Sequence, residues 1–117
     1  MYSTSTEAPQ FVTEPVSAVV LNGTNVTFTC AVVSSPQEST ISWRLGDMIL
    51  DQHDDRFDIL TRVTQKGDRM RTASSLTIIN VTGFDSNVLE CLAMYQVEEN
   101  DNLSMPVRSV AILSVLG

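Results

Sequence analysis

The stretch SLTIINVTGFDSNVLEC, residues 75–91, decides the fold. Leu76 and Ile78 stand two residues apart, as do Leu89 and Cys91, and a two-residue period puts each pair on one face of a β-strand. Val81 and Asp85 fall between them, where the chain turns back: Val81 at the floor of a core, Asp85 in the turn. The same period recurs upstream, where Val26, Phe28, Cys30 and Val32 point one way and Asn25, Thr27, Thr29 and Ala31 the other. No stretch longer than a few residues keeps apolar residues at helical spacing, so the chain reads as all-β.

Outward from these segments the strands are short and separated by turn signals. Asn22-Gly23 marks a turn, and Pro15 interrupts the first strand, where an edge position tolerates the missing N–H. A strand runs from Ile41 to Leu45 with Trp43 in its middle, and Gly46-Asp47 turns it into Met48-Ile49-Leu50. Gly67-Asp68 separates a strand over 56–63 from one over 70–79, and the polar stretch 98–104 joins the last two, 88–97 and 107–115. Roughly seven to nine such strands fit a two-sheet sandwich. A chain of 117 residues holds one domain, expected over 9–117 behind a disordered segment 1–8.

Composition narrows the class. Hydrophobic residues make up 43% of the chain, enough for a core, and 14 acids against 7 bases give a net charge of −7. That sign is wrong for nucleic acid or an anionic membrane. The longest apolar run, Val16 to Leu21, falls far short of the roughly 20 residues that cross a bilayer. Met1 to Thr6 has neither the basic nor the apolar region of a secretory leader, so a natural leader is expected upstream. Two cysteines, Cys30 and Cys91, suggest a bridge if the compartment is oxidising. Four Asn-x-Ser/Thr sequons, at Asn22, Asn25, Asn80 and Asn102, favour that compartment, and with it N-glycans and an extracellular or cell-surface location.

The order and spacing of Cys30, Trp43 and Cys91, with the register of Leu76, Ile78, Val81, Asp85, Leu89 and Cys91, resemble the immunoglobulin superfamily. The resemblance implies an immunoglobulin-like β-sandwich with Greek-key connections, of V type or extended intermediate type. It also implies a Cys30–Cys91 disulfide between strands B and F, with the indole of Trp43 packed on it. In V-type members an arginine at the start of strand D pairs with an aspartate in the E–F turn, which implies an ion pair between Arg56 and Asp85. Residues 48–55 leave room for strand C′ and a short C″, favouring V type. Strand G lacks the Phe-Gly-x-Gly bulge of rearranging antigen receptors. Leu89 stands where most members carry a tyrosine, so the E–F corner should be less tightly fixed. The strings Gly46-Asp47-Met48, Asp55-Arg56-Phe57 and SLTIINV (75–81) are similar to membrane-distal domains of junctional-adhesion-type receptors.

Strand parity then indicates a binding face. With Leu89, Cys91 and Ala93 inward on F, and Ala111, Leu113 and Val115 inward on G, the outward residues are Glu90, Leu92, Met94, Gln96, Val110 and Ile112. Leu92, Met94, Val110 and Ile112 would form one apolar patch with Met48 or Leu50 of C′, with Arg44 and Glu90 at its rim. The outward positions of the other sheet, Thr27, Thr29, Asp58, Arg62, Ser75 and Thr77, are mostly polar. Contiguous exposed apolar surface marks interaction sites. The expected function is therefore an adhesion or recognition receptor domain that binds a protein ligand, or a second copy of itself, through the front GFCC′ sheet. The alternative is a soluble immune recognition domain that uses its tip loops. Sequons Asn22, Asn25 and Asn80 fall at the far end and leave the sheet bare, whereas Asn102 falls in the F–G loop.

Catalysis is not expected. His53 is the only histidine and lies in a loop among Asp51, Asp54 and Asp55, with no nucleophile arranged beside it. Neither these carboxylates nor Glu98, Glu99 and Asp101 show the spacing of a calcium loop, so no metal or cofactor is expected.

Overall fold

Pro15 divides the first strand between two sheets. In the computed structural model, which describes residues 8–35, 37–51, 53–95 and 106–117, the segment before the proline is β1 (Gln10–Thr13) and the segment after it is β2 (Ala18–Leu21). Strand β1 pairs antiparallel with β3 (Val26–Ser34), whereas β2 crosses over to pair in parallel with β9 (Val107–Leu116). A residue without an N–H costs little where two edge segments meet. One sheet has the order β1-β3-β7-β6, with β6 spanning Phe57–Lys66 and β7 Arg69–Ile78. The other has the order β2-β9-β8-β4-β5, with β4 spanning Thr40–Leu45, β5 Met48–Ile49 and β8 Asn87–Met94. The expected disordered segment, Ala8 apart, lies outside the described residues, as do Gln96, the stretch 98–104 and Asn102.

Alternation sorts the side chains. Val26, Phe28 and Cys30 of β3 face inward and are buried, while Thr27 and Thr29 are exposed. Ala31, expected outward, is buried beside Thr13 of β1. From the facing sheet come Trp43, Leu45, Leu89, Cys91 and Leu113, which join Leu76, Ile78 and Val81 in a single core. Each large apolar side chain fully buried there contributes roughly 1.5–3 kcal/mol. The Cys30–Cys91 disulfide ties the two sheets across a sequence separation of 61 residues, a closure that chain entropy values at about 4 kcal/mol. Trp43, 1% exposed, sits across from Cys91 in the register and donates its Nε1–H to Ser74 Oγ at 2.9 Å. A buried indole N–H without that partner would cost about 1–3 kcal/mol.

Two expectations change. Leu89 does fill the corner position, fully buried, but the corner is not loose. Asp85 accepts the Thr82 N–H at 2.8 Å while its own N–H bonds Thr82 O at 2.9 Å, and Val115 donates its N–H to Ser86 Oγ at 2.9 Å. Backbone and carboxylate ties replace the hydroxyl that a leucine cannot supply. Second, the C′ strand is present as the two-residue β5, but after it the chain turns over 53–56, and no C″ strand occurs among the described residues. The hairpin β6–β7 also runs further than its sequence pattern indicated, reaching Lys66 and Arg69 around a two-residue turn. Gly67 supplies the positive φ of 64° that this turn requires.

Candidate partner-binding surface

Strand β8 lies at the centre of the five-stranded sheet, and its outward residues organise the face. Glu90 is opposite Val110 of β9 on one side and Arg44 of β4 on the other, while Leu92 is opposite Arg108 and Ser42. Val88 is opposite Ile112. Leu92, Met94, Val110 and Ile112 therefore share one face with Arg44 and Glu90. They are not equally open: Leu92 and Met94 are half-buried, whereas Val110 and Ile112 are 56% and 55% exposed.

Glu90 is not a rim charge. It faces Arg44 Nε at 3.9 Å and Arg108 Nη1 at 3.4 Å, so one carboxylate in the middle of the sheet is shared by two guanidinium groups. Arg44 also donates Nε–H to Gly46 O at 2.9 Å. This network separates Leu92 and Met94 from the more open apolar residues toward the C-terminal end of β9.

The C′ assignment needs correction. Leu50 is only 6% exposed and belongs to the core cluster, so it takes no part in a surface patch. Met48, 51% exposed, pairs with Leu45, an inward residue, and so sits on the sheet's edge facing the wrong side. The residue that joins the front face is Ile49, opposite Arg44 and 59% exposed. Parity after the tight Gly46-Asp47 turn is set by the register of that turn, and the register was not readable from the apolar run alone.

The face holds further exposed apolar residues. Val88 shares the parity of Glu90 and is 45% exposed. Val19 and Leu21 belong to the face only because β2 joins this sheet beside β9, where Val19 aligns with Ser114 and Leu21 with Leu116. Val19 is 67% and Leu21 63% exposed. The open apolar surface is thus a band across β8, β9 and β2, with Ile112 at its middle. In the other sheet Leu60 of β6 and Val12 of β1 are the more exposed aliphatic residues, and their surroundings are mostly threonines, serines and charges.

At the end where β9 finishes, Arg56 holds Asp85 with both arms of its guanidinium, Nη2 to Oδ2 at 2.6 Å and Nη1 to Oδ1 at 3.2 Å. Burial works against the charge on Asp85, yet the Arg56 hydrogen bond, the Thr82 N–H and the nearby positive charge together hold its carboxyl below the usual carboxylate range. The Asp85 hydrogen bond likewise raises Arg56, against the effect of burial. Asn22, Asn25 and Asn80 gather at this end and are all exposed. Asn25 Oδ1 accepts the Asn80 N–H at 3.0 Å, and backbone bonds from Gly23 to Val81 and from Val81 to Thr24 lace the two turns together. His53 is exposed and its N–H bonds Asp51. No group of three or more metal-ligating side chains occurs among the described residues.

Comparison with known proteins fits this geometry. A family model described as immunoglobulin domain matches residues 8–94. A search of curated proteins returns no match. Among solved structures, the N-terminal eight immunoglobulin domains of Down Syndrome Cell Adhesion Molecule align over 100% of this chain and 15% of theirs, at 20% identity and a TM-score of 0.73. Domain I81 of titin aligns over 95% of this chain and 99% of its own, at 17% identity and a TM-score of 0.60. A chain of the crystal structure of the first immunoglobulin domain of Dpr1 bound to that of DIP-eta aligns over 92% of this chain and 95% of that chain, at 15% identity and a TM-score of 0.57. At such identities the likeness is one of fold.

Proposed function

Because the chain belongs to the immunoglobulin domain family, we propose that it is the extracellular recognition module of a cell-surface adhesion receptor and binds a protein partner through its five-stranded sheet. The observation that carries this reading is the open apolar band of Val88, Val110, Ile112 and Val19, each 45–67% exposed on one sheet face. Exposed aliphatic residues in register on adjacent strands favour a partner that covers them. The Arg44–Glu90–Arg108 network beside the band offers both signs of charge, which orients a partner more than it tightens binding. It also suits a second copy related by two-fold symmetry, since the same patch must then be complementary to itself. The disulfide and the sequons support an extracellular setting. Glycans on Asn22, Asn25 and Asn80 would crowd one end of the sandwich and leave the middle of the band clear. The adhesion-molecule and Dpr1–DIP-eta structures, the latter a complex between first immunoglobulin domains, support binding of a protein as the activity.

Sedimentation of the purified domain across concentration tests the reading. Self-association in the micromolar range or weaker is expected, sufficient for adhesion through many copies. Ile112→Asp and Val110→Asp should abolish it without unfolding the domain. Undiminished association in both variants would move the site to the loops, the arrangement expected of a soluble recognition domain.

A further inference from the structure

The net charge of −7 conceals a local reversal. Residues 59–84 contain four of the seven basic residues, Arg62, Lys66, Arg69 and Arg71, and one of the fourteen acids, Asp68. This segment carries a charge of +3 and the rest of the chain −10. Register puts all four cations on the same side. Lys66 is opposite Arg69, Thr64 is opposite Arg71, and Arg62 is opposite Ala73, while the alternate residues Thr72 and Ser74 are buried on the inward side. All four are exposed, and among the described residues no salt bridge includes any of them. Like charges facing each other across a strand pair destabilise it, so the Lys66–Arg69 pairing works against the hairpin. The tip also projects past the cover of the opposite sheet, since even Val63, on the inward side, is 38% exposed.

Between the arginines lies a shallow groove of about 580 Å³, lined by Arg62, Arg71, Leu60, Ala31, Ala73 and Ser75. Leu60 apart, the side chains between the arginines are small, and the groove is open enough for a chain to lie across it. Arg62 and Lys66, four residues apart on one strand, are spaced by about 13 Å, so the cations form a track and not a single point. Aromatic anchors that dominate packed protein interfaces are missing from the outward positions of β6 and β7 among the described residues. An extended polyanion meets all these conditions.

We propose that the outer face of the β6–β7 hairpin binds a sulfated glycosaminoglycan, with Arg62, Lys66, Arg69 and Arg71 contacting its sulfate and carboxylate groups. The site lies on the opposite sheet from the apolar band and does not depend on it: either can fail alone.

The test is chromatography of the whole chain on immobilised heparin, with polyglutamate as a soluble competitor. The acidic domain should be retained at about 50 mM salt, and four cation contacts should weaken binding roughly fiftyfold between about 50 and about 200 mM, by analogy with counterion release from other polyanions. The variant R62Q/K66Q/R69Q/R71Q should flow through at the lower salt. The pair R62Q/R71Q, which leaves the tip intact, should elute at intermediate salt and serves if the fourfold variant does not fold. Polyglutamate should compete much more weakly than soluble heparin. Lack of retention of the unmodified chain overturns the proposal, as does unchanged retention of the folded variants. Competition by polyglutamate as strong as by heparin also overturns it, because the face would then suit an acidic protein.

Discussion

The two outer faces of this sandwich are built on the same core by the same alternation, yet they present opposite chemistry. Across β8, β9 and β2 the outward positions are aliphatic, with a compact ion network at one side. Across β6 and β7 they are mostly small, hydroxylated or cationic, with Leu60 and Asp58 as the exceptions. Folding constrains the inward residues, so the outward residues of both sheets are free to differ. An apolar band gains from being covered by a shaped surface, whereas a row of unpaired cations gains from a charged chain that need not pack. The two proposed contacts lie on opposite sheets and would not compete for space.

That contrast holds only while the core keeps the faces apart, and the largest expected effect comes from removing what joins the sheets. Cys30→Ala with Cys91→Ala should lower unfolding stability by about 4 kcal/mol, read by denaturant titration. A loss below about 1 kcal/mol would mean that the core alone fixes both faces. Next is the parity of β5. Leu50→Asp buries a charge among apolar side chains and should cost several kcal/mol, whereas Ile49→Asp should change stability by under about 0.5 kcal/mol. Equal effects of the two would show that the front face is drawn one residue out of register.

A smaller effect is expected at the corner. The carboxyl of Asp85 titrates below its unfolded value, so its stabilising contribution is present above about pH 4 and is lost as pH falls through the lower folded value. Asp85→Asn should flatten the acid limb of stability against pH and cost about 1–3 kcal/mol at neutral pH, less than for a fully buried pair because Arg56 is 41% exposed. The smallest stability change, under about 0.5 kcal/mol, is expected for Ile112→Asp, the substitution whose effect on association should be largest.

The sequence carried the sandwich because inward parity was over-determined. Cys30, Trp43, Leu76, Leu89 and Cys91 each fix the same two faces, and a shift of one residue would have exposed them all. Arg56 and Asp85, 29 residues apart, were legible only through family resemblance, since nothing local links them. The surface was legible where parity could be counted from a core cysteine, as for Val110 and Ile112. It was lost beyond a tight turn, at Leu50 and Ile49, and wherever a strand changed sheets. Val19 and Leu21 look like any short apolar run until Pro15 is seen to send them across to β9. The cationic hairpin was hidden for another reason: an overall charge of −7 says nothing about which side chains share a face.

The crossover at Pro15 has a mechanical consequence. Strands β2 and β9 run parallel, so tension applied to the two ends of the domain drags them past each other along their length. All four paired positions, from Ala18–Leu113 to Leu21–Leu116, then carry load together, where an antiparallel hairpin pulled from its open end would unzip rung by rung. Under such a pull the seam resists as a unit, since its backbone bonds must break together and not in turn.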